Sequence, residues 1–544
     1  MAAGAPWIRR GLALSLIALG LAAPDASANS LGRDDEAVVL TGASVPAFLG
    51  WPVGSIVAFR YEGGWRPIPL QIDERKVVDF GTIYDAAPMG TSLLAYTDPL
   101  TFTGADVDPA LDADDEMALR ARDAGVRAPM TAQPAHTVAG SRTDVSITNP
   151  IDSSKAWVSL FKTDGSLDPA AGVAPIGYTF SLSSGSYMAT YSLDFGPNPE
   201  SSTVTTPAYS VHFSDRWIRD QLRVTAGSAT GVDILDRHKD LFAPGQCGRT
   251  EDTFSAGEGA FIVNRTGPVR AIRGYVGANS GVTTYRVHRF YEAEEDVLTA
   301  LRVHALPGIV DYFDYAPAAA GMTYRNDLNT GGVPVNGSPD AVAAGPITWE
   351  MMTGAQGTIV STFLLATDIA PFATTSYYSD TTLPPETQCT GDAFEYGASG
   401  FRRADIIPNT DPTLGPAATM ELTRVIRYAP PNQSLAFAQR KALEAQSPLA
   451  PAVVPPLACG PVDLCDNGAD DDCDGTTDVS VCDGYDTGSD GRVDGLDLSF
   501  LGRSFGQCGP SPADFDGDGC VDGADLALLA AAWACAAGED VCAR

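Results

Sequence analysis

The sequence predicts a mainly β protein: a large antiparallel β-sandwich domain followed by a small, disulfide-rich loop-helix module. Three observations predict it. From about Leu31 to Tyr428, short β-rich runs are punctuated by Asn, Gly, Pro and Asp, without helices alternating between them. That is the pattern of an antiparallel sandwich rather than an α/β fold. A proline-rich stretch then interrupts the chain at 447–461. Beyond it the composition changes, and eight of the ten cysteines lie from Cys459 onward.

In chain order, the first element reads as a signal peptide over 1–28. Arg9 and Arg10 form a short basic region, Gly11–Ala23 an apolar stretch, and Ala26-Ser27-Ala28 a small-residue cleavage site. The apolar stretch is too short to span a bilayer. Cleavage before Asn29 and a secreted or cell-surface location are expected. The β domain, 31–446, follows. Ser55–Tyr61 and Trp65–Ile72 flank Gly63-Gly64, a hairpin signal. Further strands are expected at Trp157–Lys162, Tyr178–Phe195, Thr283–Tyr291, Val297–His304, Ile359–Leu365 and Thr419–Tyr428. These runs leave open whether they build one sandwich or two. A helix is expected over Gln433–Ala445, with Leu435, Ala438, Ala442 and Leu443 as its apolar stripe. The prolines of 447–461 favour extended linker. A Cys/Asp repeat, 462–483, and a loop-helix module, 484–544, complete the chain.

Charge is unevenly distributed. The formal net charge is −33, and from Cys459 to Arg544 there are 19 Asp and Glu against 3 Arg. Such a tail repels nucleic acid and anionic membranes and attracts cations. The oxidising compartment expected after export would let Cys459, Cys465, Cys473, Cys482, Cys508, Cys520, Cys535 and Cys542 pair as disulfides. Eight cysteines allow 105 pairings, among which the sequence does not choose. Zinc is the competing use, but the tail has no His. Cys247 and Cys389 are candidates for one more disulfide, between distant loops.

The tail contains a duplication. With a 28-residue offset, Asp486/Asp514, Asp490/Asp518, Gly491/Gly519, Val493/Val521, Asp494/Asp522, Gly495/Gly523 and Asp497/Asp525 coincide, followed by Leu498/Leu526, Leu501/Leu529 and Phe505/Trp533. Calcium requires six to eight oxygens, which a twelve-residue loop supplies from positions 1, 3, 5, 7, 9 and 12, with Gly at position 6 for a sharp turn. In the second loop these are Asp514, Asp516, Asp518, the Cys520 carbonyl, Asp522 and Asp525, around Gly519. In the first they are Asp486, Asp490, the Arg492 carbonyl, Asp494 and Asp497. Gly488 offers no side chain at position 3, so weaker binding is expected there. Leu at 13, Leu at 16 and the aromatic at 20 share one helix face.

From Asp486 to Ala534 this duplicated loop and exiting helix closely resembles a type I dockerin. The resemblance implies calcium as the bound ion and a cohesin-like protein as partner. Where the family's recognised surface often carries a Ser/Thr pair, this chain has Gly495-Leu496 and Gly523-Ala524. Docking and a purely structural calcium clip therefore both remain open. Upstream, Cys465 to Asp478 resembles a short metal-binding repeat of secreted bacterial proteins. Its Asp470, Asp472 and Asp474 repeat positions 1, 3 and 5, and Asp478 falls at position 9, while position 12 is Val481. A third, weaker cation site is expected there.

The β domain is less informative. Linear signatures of common hydrolases and phosphate-binding loops are absent from it. If a hairpin turns at Glu292–Asp296, Arg286, His288, Arg302 and His304 share one sheet face. That face would suit a carboxylate-bearing polymer such as a uronic-acid glycan. The competing expectation is an exposed polar strand face with Tyr285, Val287 and Tyr291 inward. His212–Arg219 and Asp233–Lys239 each bring charged groups that could line a sugar cleft. The acidic run Asp106–Glu116 lacks a position-six Gly and reads as a solvated loop. Two functions fit: a secreted polysaccharide-degrading hydrolase or lyase tethered by its calcium-binding tail, or a non-enzymatic surface or matrix protein with a glycan-binding or spacer sandwich.

Overall fold

The computed structural model describes residues 31–129, 132–183, 198–242, 249–278, 281–301, 307–367, 369, 372–382, 395–407, 420–454, 485, 487 and 495–536. The chain is mainly β, built of antiparallel sheets. The largest has nine strands, in the order Ala260–Thr266, Ala271–Ala278, Gly281–Phe290, Glu294–Leu301, Met420–Ala429, Gly357–Thr367, Trp349–Gly354, Thr323–Asn326 and Val333–Pro334. One face packs on two four-stranded sheets, one of them containing Leu235–Phe242 and Ile309–Tyr315, the other Tyr209–Phe213 and Arg219–Val224. The apolar part of that interface includes Val211, Phe213, Phe290, Phe313, Met352 and Tyr428. The other face is covered in part by the hairpin Arg75–Asp79/Ser92–Tyr96 and in part by a helix.

A smaller sandwich precedes this one. Its five-stranded sheet runs Ala450–Val454, Thr143–Thr148, Lys155–Lys162, Ile56–Tyr61 and Trp65–Ile68, and it faces a three-stranded sheet of Ala37–Thr41, Glu116–Arg120 and Gln71–Asp73. Val38, Leu40, Met117, Leu119, Ile147, Val158 and Leu160 fill the space between them. The open question of one sandwich or two is therefore settled as a large one and a small one. Tyr61 pairs with Trp65 around Gly63, whose φ is +66°, so the hairpin lies where the Gly-Gly pair places it.

Two expectations need correction. The stretch 447–461 is not linker throughout: Ala450–Val454 is a strand paired to Thr143–Thr148. It pairs on one side only, and an edge strand accommodates Pro451, whose missing N–H need not serve a ladder. The acidic run is also not solvated to its end. Asp115 is buried, and Glu116 opens a strand where it meets Arg75 Nη1 at 2.6 Å, Arg270 Nη2 at 2.6 Å and Tyr96 Oη at 2.7 Å. Burial opposes the ionisation of Glu116, but Arg270, Arg289 and Arg75 outweigh it and hold the carboxyl at about 2.

The expected helix is Leu435–Gln446, begun by Ser434, whose Oγ accepts the Phe437 amide at 3.2 Å. Ala438 and Ala442 pack on Trp349, Met351 and Val360. Leu443 is 45 % exposed, because one residue beyond Ala442 is about 100° further round the helix. In the tail, the helices Gly495–Ser504 and Gly523–Ala536 enclose a small core of Leu501, Ala513, Val521 and Leu529, joined by Tyr485 and Phe515. The apolar face expected of these helices is split: Leu501 and Leu529 are buried, whereas Leu498, Leu526 and Phe505 are exposed. Among the described residues no helix is long and apolar enough to cross a membrane.

Candidate functional site

The hairpin that carries Arg286 and His288 turns earlier than expected. Arg286 pairs with Thr299 and His288 with Val297, and the Tyr291 amide donates to the Glu294 carbonyl at 2.8 Å, which leaves Glu292-Ala293 as the turn. The register expected from a Glu292–Asp296 turn is shifted, so odd-numbered residues of the second strand share the face of Arg286 and His288. Arg302 and His304 lie outside the described residues. Nor is that face open. Both Arg286 and His288 are 1 % exposed, because the second sheet of the large sandwich covers them.

There they belong to a buried charged network. His288 Nδ1 lies 3.0 Å from Glu295 Oε1, and its Nε2 lies 3.2 Å from the Tyr275 hydroxyl. Glu295 also accepts from Arg219 and, at 2.9 Å, from Tyr428 Oη. Arg286 donates to both Asp240 oxygens at 2.8 Å and to Asp311 at 3.2 Å, with its guanidinium 4.5 Å from the Trp217 ring centroid. Burial pushes His288 down to about 3 despite Glu295. Burial likewise opposes the charge on Glu295, but Arg219 and His288 prevail and hold it at about 2. A neutral imidazole and a fixed carboxylate, both shut from solvent, make an electrostatic clamp between sheets. They are poorly placed for proton transfer to a polymer.

The neighbouring triad His238, Asp240 and Asp311 brings three ligand-type atoms within 4.8 Å of one another. Both Asp240 oxygens are taken by Arg286, and Asp311 is shared by Arg286, Arg424 at 3.1 Å and His238 at 3.2 Å. These guanidinium groups already neutralise the carboxylates, so the donor set does not fit a cation. The other cleft candidates are also structural. Trp217 is buried with its Nε1 donating to the Gly277 carbonyl at 2.9 Å, and Arg237 pairs with Asp252 at 2.9 Å.

An open groove lies on the opposite face of the nine-stranded sheet. Two adjoining depressions, of about 410 and 250 Å³, meet at Glu421. Tyr285, Leu298 and Thr423 form its floor, and Leu93 and Gln446 mark its two sides. The sequence signal for it is weak, since one carboxylate and scattered hydroxyls on a strand face look like ordinary surface.

The second tail loop is the most fully formed candidate. Oxygens of Asp514, Asp516 and Asp525 lie within 4.8 Å of one another. Asp525 is buried at the start of its helix; its Oδ1 accepts the Phe515 amide at 2.6 Å and its Oδ2 the Asp522 amide at 2.8 Å. The Asp522 amide, followed by those of Asp516 and Phe515, holds its carboxyl below the usual range. Asp514 Oδ2 accepts the Gly519 amide at 3.0 Å, while Asp514 Oδ1 is buried without a hydrogen-bond partner. Asp518 Oδ1 accepts the Cys520 amide at 2.9 Å and Asp522 Oδ1 the Ala524 amide at 2.8 Å. Three carboxylates with oxygens within 4.8 Å of one another, and one oxygen left without a hydrogen-bond partner, fit a hard cation.

Of the first loop, Asp497 is buried and accepts from Thr487 Oγ1 at 3.2 Å. Asp486, Asp490, Arg492 and Asp494 lie outside the described residues, as do Asp470, Asp472, Asp474 and Asp478. Of the cysteines, Cys508 and Cys520 are joined in a disulfide. Cys247, Cys389, Cys459, Cys465, Cys473, Cys482 and Cys542, and the side chain of Cys535, lie outside the described residues.

No protein-family model matches the sequence, and no curated protein matches it. Among solved structures, a putative aldose 1-epimerase from Escherichia coli K12 matches at 10 % identity over 47 % of this chain and all of its own, with a TM-score of 0.24. An alpha-mannosidase from Enterococcus faecalis V583 matches at 7 % identity over 77 % of this chain, with a TM-score of 0.35. This chain spans 44 % of that mannosidase. Likenesses this remote bear neither on fold nor on activity.

Proposed function

We propose that this is a secreted calcium-binding protein in which a dockerin-like tail tethers a glycan-binding β-rich body. The observation that carries the calcium reading is that Asp514, whose Oδ1 is buried and unpartnered, places a carboxylate oxygen within 4.8 Å of oxygens of Asp516 and Asp525. Bound there, calcium would be held by Asp514, Asp516, Asp518, the Cys520 carbonyl, Asp522 and Asp525, and would supply charge neutralisation that rigidifies the loop. The spacing of the duplicated repeat supports the same ion for the first loop. Calorimetric titration of the full chain with calcium should show two unequal classes of site. Asp514→Asn should weaken the tighter class at least tenfold, and a variant that binds like the parent would sink the assignment.

The groove guides the reading of the body. Tyr285, Thr283, Thr423 and Gln446 offer ring, hydroxyl and amide groups for a sugar. Hydrolysis by paired acids needs two carboxylates flanking the bond, and the described lining contributes Glu421. This inventory supports binding of a neutral glycan ahead of cleavage, and so favours the non-enzymatic reading over a hydrolase or lyase. Screening the protein against polysaccharides for both retention and product release separates the two. Released oligosaccharide would overturn the binding-only reading, and a cohesin-type partner is sought by pull-down in calcium against chelator.

A further inference from the structure

We propose that the Cys508–Cys520 disulfide is a positioning element of the second calcium loop, so that its reduction weakens calcium binding at that loop alone. The inference rests on the calcium reading above. Cys520 occupies position 7, whose backbone carbonyl is a ligand in a loop of this kind. Its sulfur is bonded to Cys508, which follows the first tail helix, with the two Cα atoms 4.0 Å apart. A short antiparallel ladder flanks the bond: Gly509 N donates to the Gly519 carbonyl at 2.9 Å, Val521 N to Gln507 at 2.9 Å and Gly506 N to Val521 at 2.7 Å. The tie thus fixes positions 6 to 8 against the end of the preceding repeat.

What the tie encloses makes it consequential. The two cysteines are 12 residues apart, and Asp514, Asp516 and Asp518 lie between them. Asp525, by contrast, is anchored outside the enclosed segment, in the first turn of Gly523–Ala536. Opening the disulfide therefore releases the segment that bears Asp514, Asp516 and Asp518 from its covalent anchor at Cys508, leaving hydrogen bonds, such as those from the Phe515 and Asp516 amides to Asp525, to hold it. Gly517 and Gly519, at φ +71° and +88°, leave that segment much conformational freedom to lose when the ion binds. A preformed loop avoids that ordering cost. The first loop has Arg492 at position 7 and so has no equivalent tie.

The chemistry is thiol–disulfide exchange. Cys508 is exposed and Cys520 half-buried, so a small dithiol can reach the bond. The dithiol supplies two electrons and two protons; the sulfur–sulfur bond breaks, both cysteines become thiols and the reductant closes its own disulfide. The test titrates calcium into the full chain and into Cys508→Ser/Cys520→Ser, with circular dichroism confirming that the variant retains its fold. The expected result is a loss of at least tenfold in the tighter class, with the weaker class unmoved, and the same change in parent protein held in a dithiol. Matching isotherms for parent and variant would overturn the proposal while leaving the calcium reading intact. A parent chain that takes up no calcium would overturn both. Protease cleavage within 509–519 gives an independent readout: it should rise in the calcium-free variant, and an unchanged cleavage rate counts against the tie.

Discussion

Glu295→Ala is expected to cost about 3–5 kcal/mol of folding stability, the range for a buried ion pair that loses one partner. The carboxylate is 0 % exposed, and its removal strands Arg219, the Tyr428 hydroxyl and His288 Nδ1 in a space closed to solvent. Arg219 cannot shed its charge, and its aromatic neighbours, Phe213 and Phe313 at 5.3 and 5.7 Å, offer only partial compensation. The double replacement Arg219→Met/Glu295→Leu should cost less than the single one, because it removes both charges and restores apolar volume. Chemical denaturation measures both. A double variant as unstable as Glu295→Ala would show that the pair is not what the site depends on.

The same residues explain what sequence could and could not show. The strands around His288 were legible, since Thr283–Tyr291 and Val297 onward carry strong β composition. Their register was not, because the turn Glu292-Ala293 lacks the Asn-Gly or Gly-rich signal that fixes one. Alternation was equally misleading. Arg286 and His288 looked solvent-facing, yet their counter-charges, Asp240, Asp311 and Glu295, arrive partly from another sheet that local pattern cannot reveal. The second calcium loop was readable for the opposite reason. All its side-chain ligands fall between Asp514 and Asp525, so spacing alone describes the site. The Cys508–Cys520 pairing was not readable, as many pairings fit the same eight cysteines.

Below about pH 4.5 the fold should lose stability steeply, on the order of 4 kcal/mol by pH 3. Three depressed groups set the sign. His288, at about 3 in the fold against 6.5 in the unfolded chain, takes up a proton more readily when unfolded as pH falls from 6.5 towards 3. Glu295 and Glu116, each at about 2 against 4.5, do the same from pH 4.5 towards 2. Each contributes stability above its unfolded value that disappears as pH falls through its folded value. Glu350 and Glu251, pushed up by burial to about 7 and 8, act in the opposite sense, losing stability as pH rises above 4.5. Between pH 4.5 and 6.5 His288 alone of the three responds, and Glu350 and Glu251 together oppose it, so these groups give no acid loss in that range. Below 4.5 Glu350 and Glu251 become protonated in both states and stop opposing the three depressed groups. The acid limb should accordingly be shallower in Arg219→Met/Glu295→Leu, which has no Glu295 carboxylate to protonate, than in the parent. Urea denaturation at pH 5, 4 and 3 gives both slopes; parallel limbs would mean that the acid sensitivity originates elsewhere in the molecule.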